Sequence, residues 1–153
     1  MVGPFAKVDP AEVPRFPNLH YLGQQAYADL PSFLKGWDVA LIPFAQSEAT
    51  RYLSPTKVLE YMAADLPIVA TPLPDLLPYR AAVLLADSPA RFVTACERAL
   101  SASASQRAAW AAEMRATVAA TSWEATVRDM EALIDRIAIT KPVRREETSL
   151  TVS

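Results

Sequence analysis

Between residues 47 and 61 the chain reads SEATRYLSPTKVLEY, and its charges stand where a helix would not ordinarily want them. Ser54 is a good N-cap and Pro55 a good first helical residue, so the spacing predicts a helix that begins there. Thr56 and Lys57 then occupy its first turn, with Arg51 just ahead. A helix N-terminus carries roughly half a positive charge and disfavours cations by a few tenths of a kcal/mol. Two cations crowding that end break a local rule with no local gain, which tends to mark a functional position. An anion resolves the conflict, because free backbone N–H groups, the dipole, Lys57 and Arg51 would all point at it. A diphosphate is the natural candidate, since helix N-termini bind phosphate and Arg grips its oxygens bidentately. Glu60 lies three residues beyond Lys57 on the same face, about one turn deeper. A carboxylate there repels phosphate but accepts hydrogen bonds from sugar hydroxyls, which suggests phosphate first and ribose next along one helical edge. The same spacing also permits bland surface pairs, Lys57 with Glu60 and Arg51 with Glu48, and it does not by itself name the ligand.

The elements that must hold this string follow from hydrophobic runs. DVALIPF (38–44), LPIVAT (66–71) and AVLLAD (82–87) are apolar runs of the kind that form strands buried on both faces. NLHYL (18–22), stopped by Gly23, reads as a further short strand. Helices are expected at 27–36, with Leu30, Phe33 and Leu34 on one face, and at 55–64, with a Pro-rich loop at 72–80. Ser88 and Pro89 should start a helix whose apolar stripe is Phe92, Val93, Cys96, Ala99 and Leu100. An Ala-rich helix at 105–120 follows. Ser122 should cap a last one, with Trp123, Val127, Met130, Leu133, Ile134 and Ile137 in register. Residues 140–153 are mixed-charge and aperiodic, and read as a disordered tail. Alternating strands and helices imply an α/β, Rossmann-like parallel sheet with helices on both faces and a helical C-terminus. In such sheets ligands bind outside the carboxyl ends of the strands, which directs attention to the loops after residues 22, 43 and 71.

Composition narrows the partners. At 153 residues and 52 % hydrophobic, the chain can bury one core. A net charge of −2 leaves no broad basic surface, so a nucleic-acid partner is not expected. A small anion needs only two or three local cations. The single cysteine, Cys96, allows no internal disulfide and suits a reducing compartment. No apolar run reaches the ~18 residues of a membrane span, and MVGPFAKVDP lacks the pattern of a signal peptide. A cytoplasmic location is expected, with peripheral membrane association left open. Only three glycines and no glycine-rich loop argue against a receiver-like or flavodoxin-like phosphate binder. His20 is the one histidine, read as a strand residue, and no metal-ligand cluster is visible.

The succession NLHYLG, a leucine-bearing helix, WDVALIPF and then SEATRYLSPTKVLEYMAADLPIVATPLPD resembles the C-terminal domain of bacterial GT-B glycosyltransferases of the "glycosyl transferase group 1" type. The resemblance covers roughly residues 1–138 and is most specific from Glu48 to Pro72. It implies glycosyl-group transfer from a nucleotide-diphosphate sugar, a UDP-sugar or GDP-sugar, with no cofactor and no bound metal. Basic side chains and helix ends would neutralise the leaving diphosphate. By position, Glu60 matches the family's glutamate on the ribose hydroxyls. Lys57 and Arg51 fall at its diphosphate and sugar contacts, with Thr56 and Ser54 beside them. Glu48 and Thr50 lie in the loop that faces the donor sugar, and Tyr21, Gly23 and Gln24 lie where the base packs. No catalytic residue is assigned.

The chain also departs from that pattern. Its start resembles the end of the second strand of the domain, so the first strand and helix, and the whole N-terminal half, are expected to be missing. Residues 1–139 would then be an incomplete C-terminal domain. It would have little transferase activity unless the N-terminal half, or a partner chain supplying it, were present. The spacing from Glu48 to Glu60 exceeds the family's commonest two-glutamate pattern. Asp65 stands where a glycine is usual, at a position expected to need a left-handed backbone. An exposed stripe on the last helix would promote self-association or docking. The competing reading is a non-catalytic interaction module that kept the fold.

Overall fold

The apolar runs become short parallel strands. β1 (Ala40–Ile42), β2 (Ile68–Ala70) and β3 (Val83–Leu85) form one parallel sheet in the order β1-β2-β3. Ala40 stands opposite Ile68, and Ile68 opposite Val83. The helices are α1 (Leu30–Lys35), α2 (Lys57–Ala63), α3 (Pro89–Leu100), α4 (Ala104–Ala120) and α5 (Trp123–Thr140), with 3-10 turns at Tyr27–Asp29 and Pro74–Tyr79. The computed structural model describes residues 1–5 and 8–140, so the tail expected at 140–153 lies outside the described residues from residue 141 on. The architecture is the α/β, Rossmann-like one expected from the alternation of strands and helices. Among the described residues no helix is long and apolar enough to cross a membrane.

β2 is the central strand, and its three residues expose at most 1 % of their surface. β1 is an edge strand and alternates, with Ala40 and Ile42 buried and Leu41 exposed. Met62 of α2, Leu76 of the second 3-10 turn and Met114 of α4 join Ile68 and Val69 as the largest fully buried side chains. These lie in a unit spanning Met1–Arg115, and the remainder, Ala116–Ser153, forms a second unit. In that second unit the Ser122 hydroxyl accepts from the Ala125 N–H at 3.0 Å, the cap expected for α5. Hydrogen bonds from its own backbone and from Ser122 hold the Glu124 carboxyl below the usual range. Trp123, Val127, Met130, Leu133, Ile134 and Ile137 are all exposed.

Five readings need correction. DVALIPF and AVLLAD are not buried on both faces, since Leu41 of β1 is exposed and Leu84 and Leu85 of β3 are half-buried, because both strands lie at the edges of the sheet. NLHYL forms no strand of the sheet. Residues 20–23 instead run extended beside the first three: Leu22 donates to the Met1 carbonyl at 2.9 Å, and Gly3 to the Gly23 carbonyl at 2.8 Å. Gly23, with φ +67, turns the chain away and keeps this pairing short. The helix expected from Pro55 begins at Lys57, and Ser54 does not cap it. Its N-cap is Thr56, whose side chain makes no cap bond. The reason is a tight first turn, in which Val58 donates to Pro55 and Leu59 to Thr56, each spanning three residues. The Pro-rich loop at 72–80 is largely the 3-10 turn. On α3, Ser88 accepts from Arg91 N–H at 3.4 Å as a cap should, but Val93 and Leu100 are exposed, so the packed stripe narrows to Phe92, Ala95, Cys96 and Ala99.

Asp65 joins α2 to β2. Its φ is 53°, the left-handed region expected for this position. Leu66 N–H reaches the Tyr61 carbonyl at 3.1 Å and Asp65 N–H the Met62 carbonyl at 3.0 Å, closing a Schellman motif. The Asp65 carboxylate is held by Arg115 of α4, with Nε on Oδ1 at 3.0 Å and Nη2 on Oδ2 at 2.6 Å. Asp65→Val should lower the unfolding free energy by about 1–2 kcal/mol through the backbone alone, while Asp65→Gly releases that strain. Urea unfolding of both variants and of Arg115→Ala tests this. Wild-type stability for Asp65→Val would show that the turn tolerates a branched side chain.

Candidate functional site

The loop after β1 is tied by its own side chains. The Thr50 hydroxyl donates to the Ala45 carbonyl at 2.6 Å and accepts from the Ser47 N–H at 2.9 Å. In return Thr50 N–H approaches the Ser47 hydroxyl at 3.3 Å and its carbonyl at 3.1 Å. This is the reciprocal logic of a capping box, with Thr in place of the usual Glu or Gln. Arg51 N–H continues the coil to the Ser47 carbonyl at 3.1 Å. The Ser-x-x-Thr spacing was the available signal for this knot, and the sequence reading missed it.

The coiled loop faces the segment that follows β2. Gln46, Ser47, Glu48, Thr50 and Arg51 on one side and Pro72, Leu73 and Pro74 on the other line a cleft of about 510 Å³. It sits at the carboxyl ends of β1 and β2, where open α/β sheets bind ligands. The Arg51 guanidinium lies 5.7 Å from the centre of the Tyr52 ring. Arg91–Asp87 and Arg115–Asp65 form ion pairs, whereas Arg51–Glu48 and Lys57–Glu60 do not.

The candidate residues do not share one cavity. Glu48, Thr50 and Arg51 line the cleft above. Glu60 is half-buried and lines a second recess of about 450 Å³ between α1 and α2, with Tyr27, Leu30, Leu34, Lys35 and Asp65. Lys57 and Thr56 are exposed at the start of α2, and Ser54 is exposed just before it. Tyr21 belongs to a third hollow, packed on Phe5 with ring centres 5.2 Å apart. Gly23 and Gln24 follow it in the extended segment. Next to Glu60, the half-buried Tyr61 hydroxyl has its pKa raised, first by burial and then by the Glu60 charge. Tyr61 also packs on Trp37, ring centres 6.3 Å apart. Burial, with a smaller push from Glu97, raises the thiol of half-buried Cys96 as well.

A profile of the glycosyl transferases group 1 family matches residues 2–102, most of the chain. The chain belongs to the group 1 glycosyltransferases. Among curated proteins it is similar to TuaH of Bacillus subtilis (strain 168), whose name describes a teichuronic acid biosynthesis glycosyltransferase. The two are 31 % identical over 93 residues, 58 % of this chain and 23 % of TuaH. The chain thus spans about a quarter of that relative's length. No solved structure matches it. The span matched to the group 1 glycosyltransferases contains the whole three-stranded sheet and all three hollows.

Two outcomes follow from this geometry. Thr50→Val removes the hydroxyl that accepts from the Ser47 amide and donates to the Ala45 carbonyl, so that amide should exchange with solvent at least about fivefold faster, given about 1 kcal/mol for its own lost bond. Unchanged exchange would mean that the loop is held by other contacts. The folded-state pKa of Tyr61 lies above its unfolded value near 10, so the native state holds this proton more tightly. That contribution is full below the unfolded value and is lost as pH rises through the folded one. As pH rises through and beyond about 10, the wild type should therefore lose more stability than Tyr61→Phe, as read by urea unfolding.

Proposed function

We propose that this chain is the donor-binding part of a group 1 glycosyltransferase, acting on a UDP-sugar or a GDP-sugar. The observation that carries this reading is the cleft at the carboxyl ends of β1 and β2, which Arg51, Thr50 and Glu48 line, with Lys57 exposed at the start of the helix that follows the loop. In the transfer the bond between the anomeric carbon and the diphosphate breaks, and its electron pair leaves with the phosphate oxygen. The acceptor hydroxyl forms the new bond and gives up its proton. Arg51 and Lys57 would balance the charge gathering on the diphosphate, an effect that strengthens in the transition state. Neither cation has an ion-pair partner among the described residues that a ligand would have to displace. Thr50 would keep the loop in shape, and Glu60 would accept from the ribose hydroxyls. The edge at Tyr21, Gly23 and Gln24 would take the base.

Contacts to the acceptor, and any catalytic base, would come from a second α/β half in the same or another polypeptide. Without it the chain should bind donor but transfer sugar slowly. A cytoplasmic setting suits nucleotide-sugar chemistry and the free Cys96. The exposed apolar face of α5 favours a second reading, an interaction module that kept the fold and lost the chemistry.

Calorimetric titration of UDP and GDP separates the two. One nucleotide should bind the wild-type chain. Glu60→Ala should weaken it by about 1.5–3 kcal/mol, roughly ten- to hundredfold, and Arg51→Ala combined with Lys57→Ala should do at least as much. Equal affinity in all three proteins would remove the donor site. Absence of binding in every protein would leave the interaction module.

A further inference from the structure

The apolar residues of α5 include Trp123, Val127, Met130, Ile134 and Ile137, alternately four and three residues apart. That is a seven-residue repeat, whose mean step of about 3.5 residues keeps its members on one narrow seam along the helix. Leu133 widens the seam on one flank. All six side chains are exposed, from 48 % at Val127 to 82 % at Trp123.

The seam describes its own partner. Val127 and Ile134 form one set of alternate layers, and Trp123, Met130 and Ile137 the other. β-branched residues in the first set, the a positions of a heptad, favour two parallel strands. The flanks agree on direction. Glu124 and Glu131 border the seam on one side, Thr126 and Leu133 on the other. In a parallel, in-register pair each flank meets the opposite flank of the second copy, so glutamate faces threonine or leucine. In an antiparallel pair like flanks meet, and glutamate would face glutamate at a cost. The exposed parts of the six side chains amount to roughly 700 Å² per copy, close to the ~800 Å² that each partner contributes to a stable interface. A lipid surface fits less well. On α5 the acidic Glu124, Asp129, Glu131 and Asp135 outnumber Arg128 and Arg136, whereas helices that lie on membranes carry basic polar faces.

We propose that α5 is a self-association element through which two copies of this chain pair, parallel and in register, with Val127 and Ile134 each meeting the same residue of the second copy. The pairing uses neither Arg51 nor Glu60, so it stands whether or not the chain takes a sugar nucleotide.

Sedimentation velocity of the full chain from about 5 to about 200 μM reads the pairing, and the wild type should pass from monomer to dimer across that range. Ile134→Glu sets a charge inside the seam and should weaken the dimer at least about tenfold, whereas Ala132→Glu, the same charge on the opposite face of the helix, should leave it unchanged. Direction is read in a Cys96→Ser background. There Val127→Cys should form an intermolecular disulfide on mild oxidation at least about tenfold faster than Ala132→Cys, because only the former brings the two sulfurs within bonding reach. A wild type that stays monomeric at the highest concentration would overturn the proposal, even if it then bound lipid vesicles or another protein. So would an Ile134→Glu variant that associates as tightly as the wild type. Equal rates for the two cysteines would overturn the parallel register.

Discussion

β2 has to satisfy its backbone on both edges while exposing neither face to water, and the rest of the first unit is arranged around that demand. A buried, unpaired peptide group costs about 1–3 kcal/mol, so β1 and β3 must flank it in register. Ile68, Val69 and Ala70, like Met62, Leu76 and Met114, then keep almost no exposed surface. Because the strands are parallel, each must be re-entered from the same end, and the returns at Asp65 and Ala82 set where α2 and β3 lie. The candidate cleft inherits its position from this, since the loops that line it leave β1 and β2 at one rim.

How far this could be read beforehand depended on whether the deciding interaction was local. LPIVAT declared a strand buried on both faces through its unbroken apolar run, whereas DVALIPF, equally apolar, became an edge strand with Leu41 exposed, because a strand's place in the sheet order is not a local property. Ser88 before Pro89 and Ser122 before α5 declared caps because the bond lies within three residues. The left-handed turn at Asp65 was legible only through the resemblance, in which a glycine is usual at that position. Ser54 misled, because the same local rule competed with a tighter 3-10 turn at Pro55 and Thr56. NLHYL misled because its partner is the chain start rather than the sheet. The grip of Arg115 on Asp65 spans 50 residues and left no local trace.

The candidate site shows the same divide. The residue types were legible, and so was their place after the strands. Their sharing among hollows was not, because which recess Glu60 lines is decided by the packing of α1 on α2 and not by its spacing from Lys57. Membership of the group 1 glycosyltransferases rests on the matched span, and the physical reading explains why that span holds together as a fold.

The bonds between Ser47 and Thr50 lie wholly within the loop. The side chains of Gln46, Glu48, Ala49 and Arg51 take no part in these bonds. Such a loop works as an interchangeable cassette. Its frame can survive while the side chains it does not use are rewritten, so this stretch can vary over evolutionary time without the fold having to be reinvented.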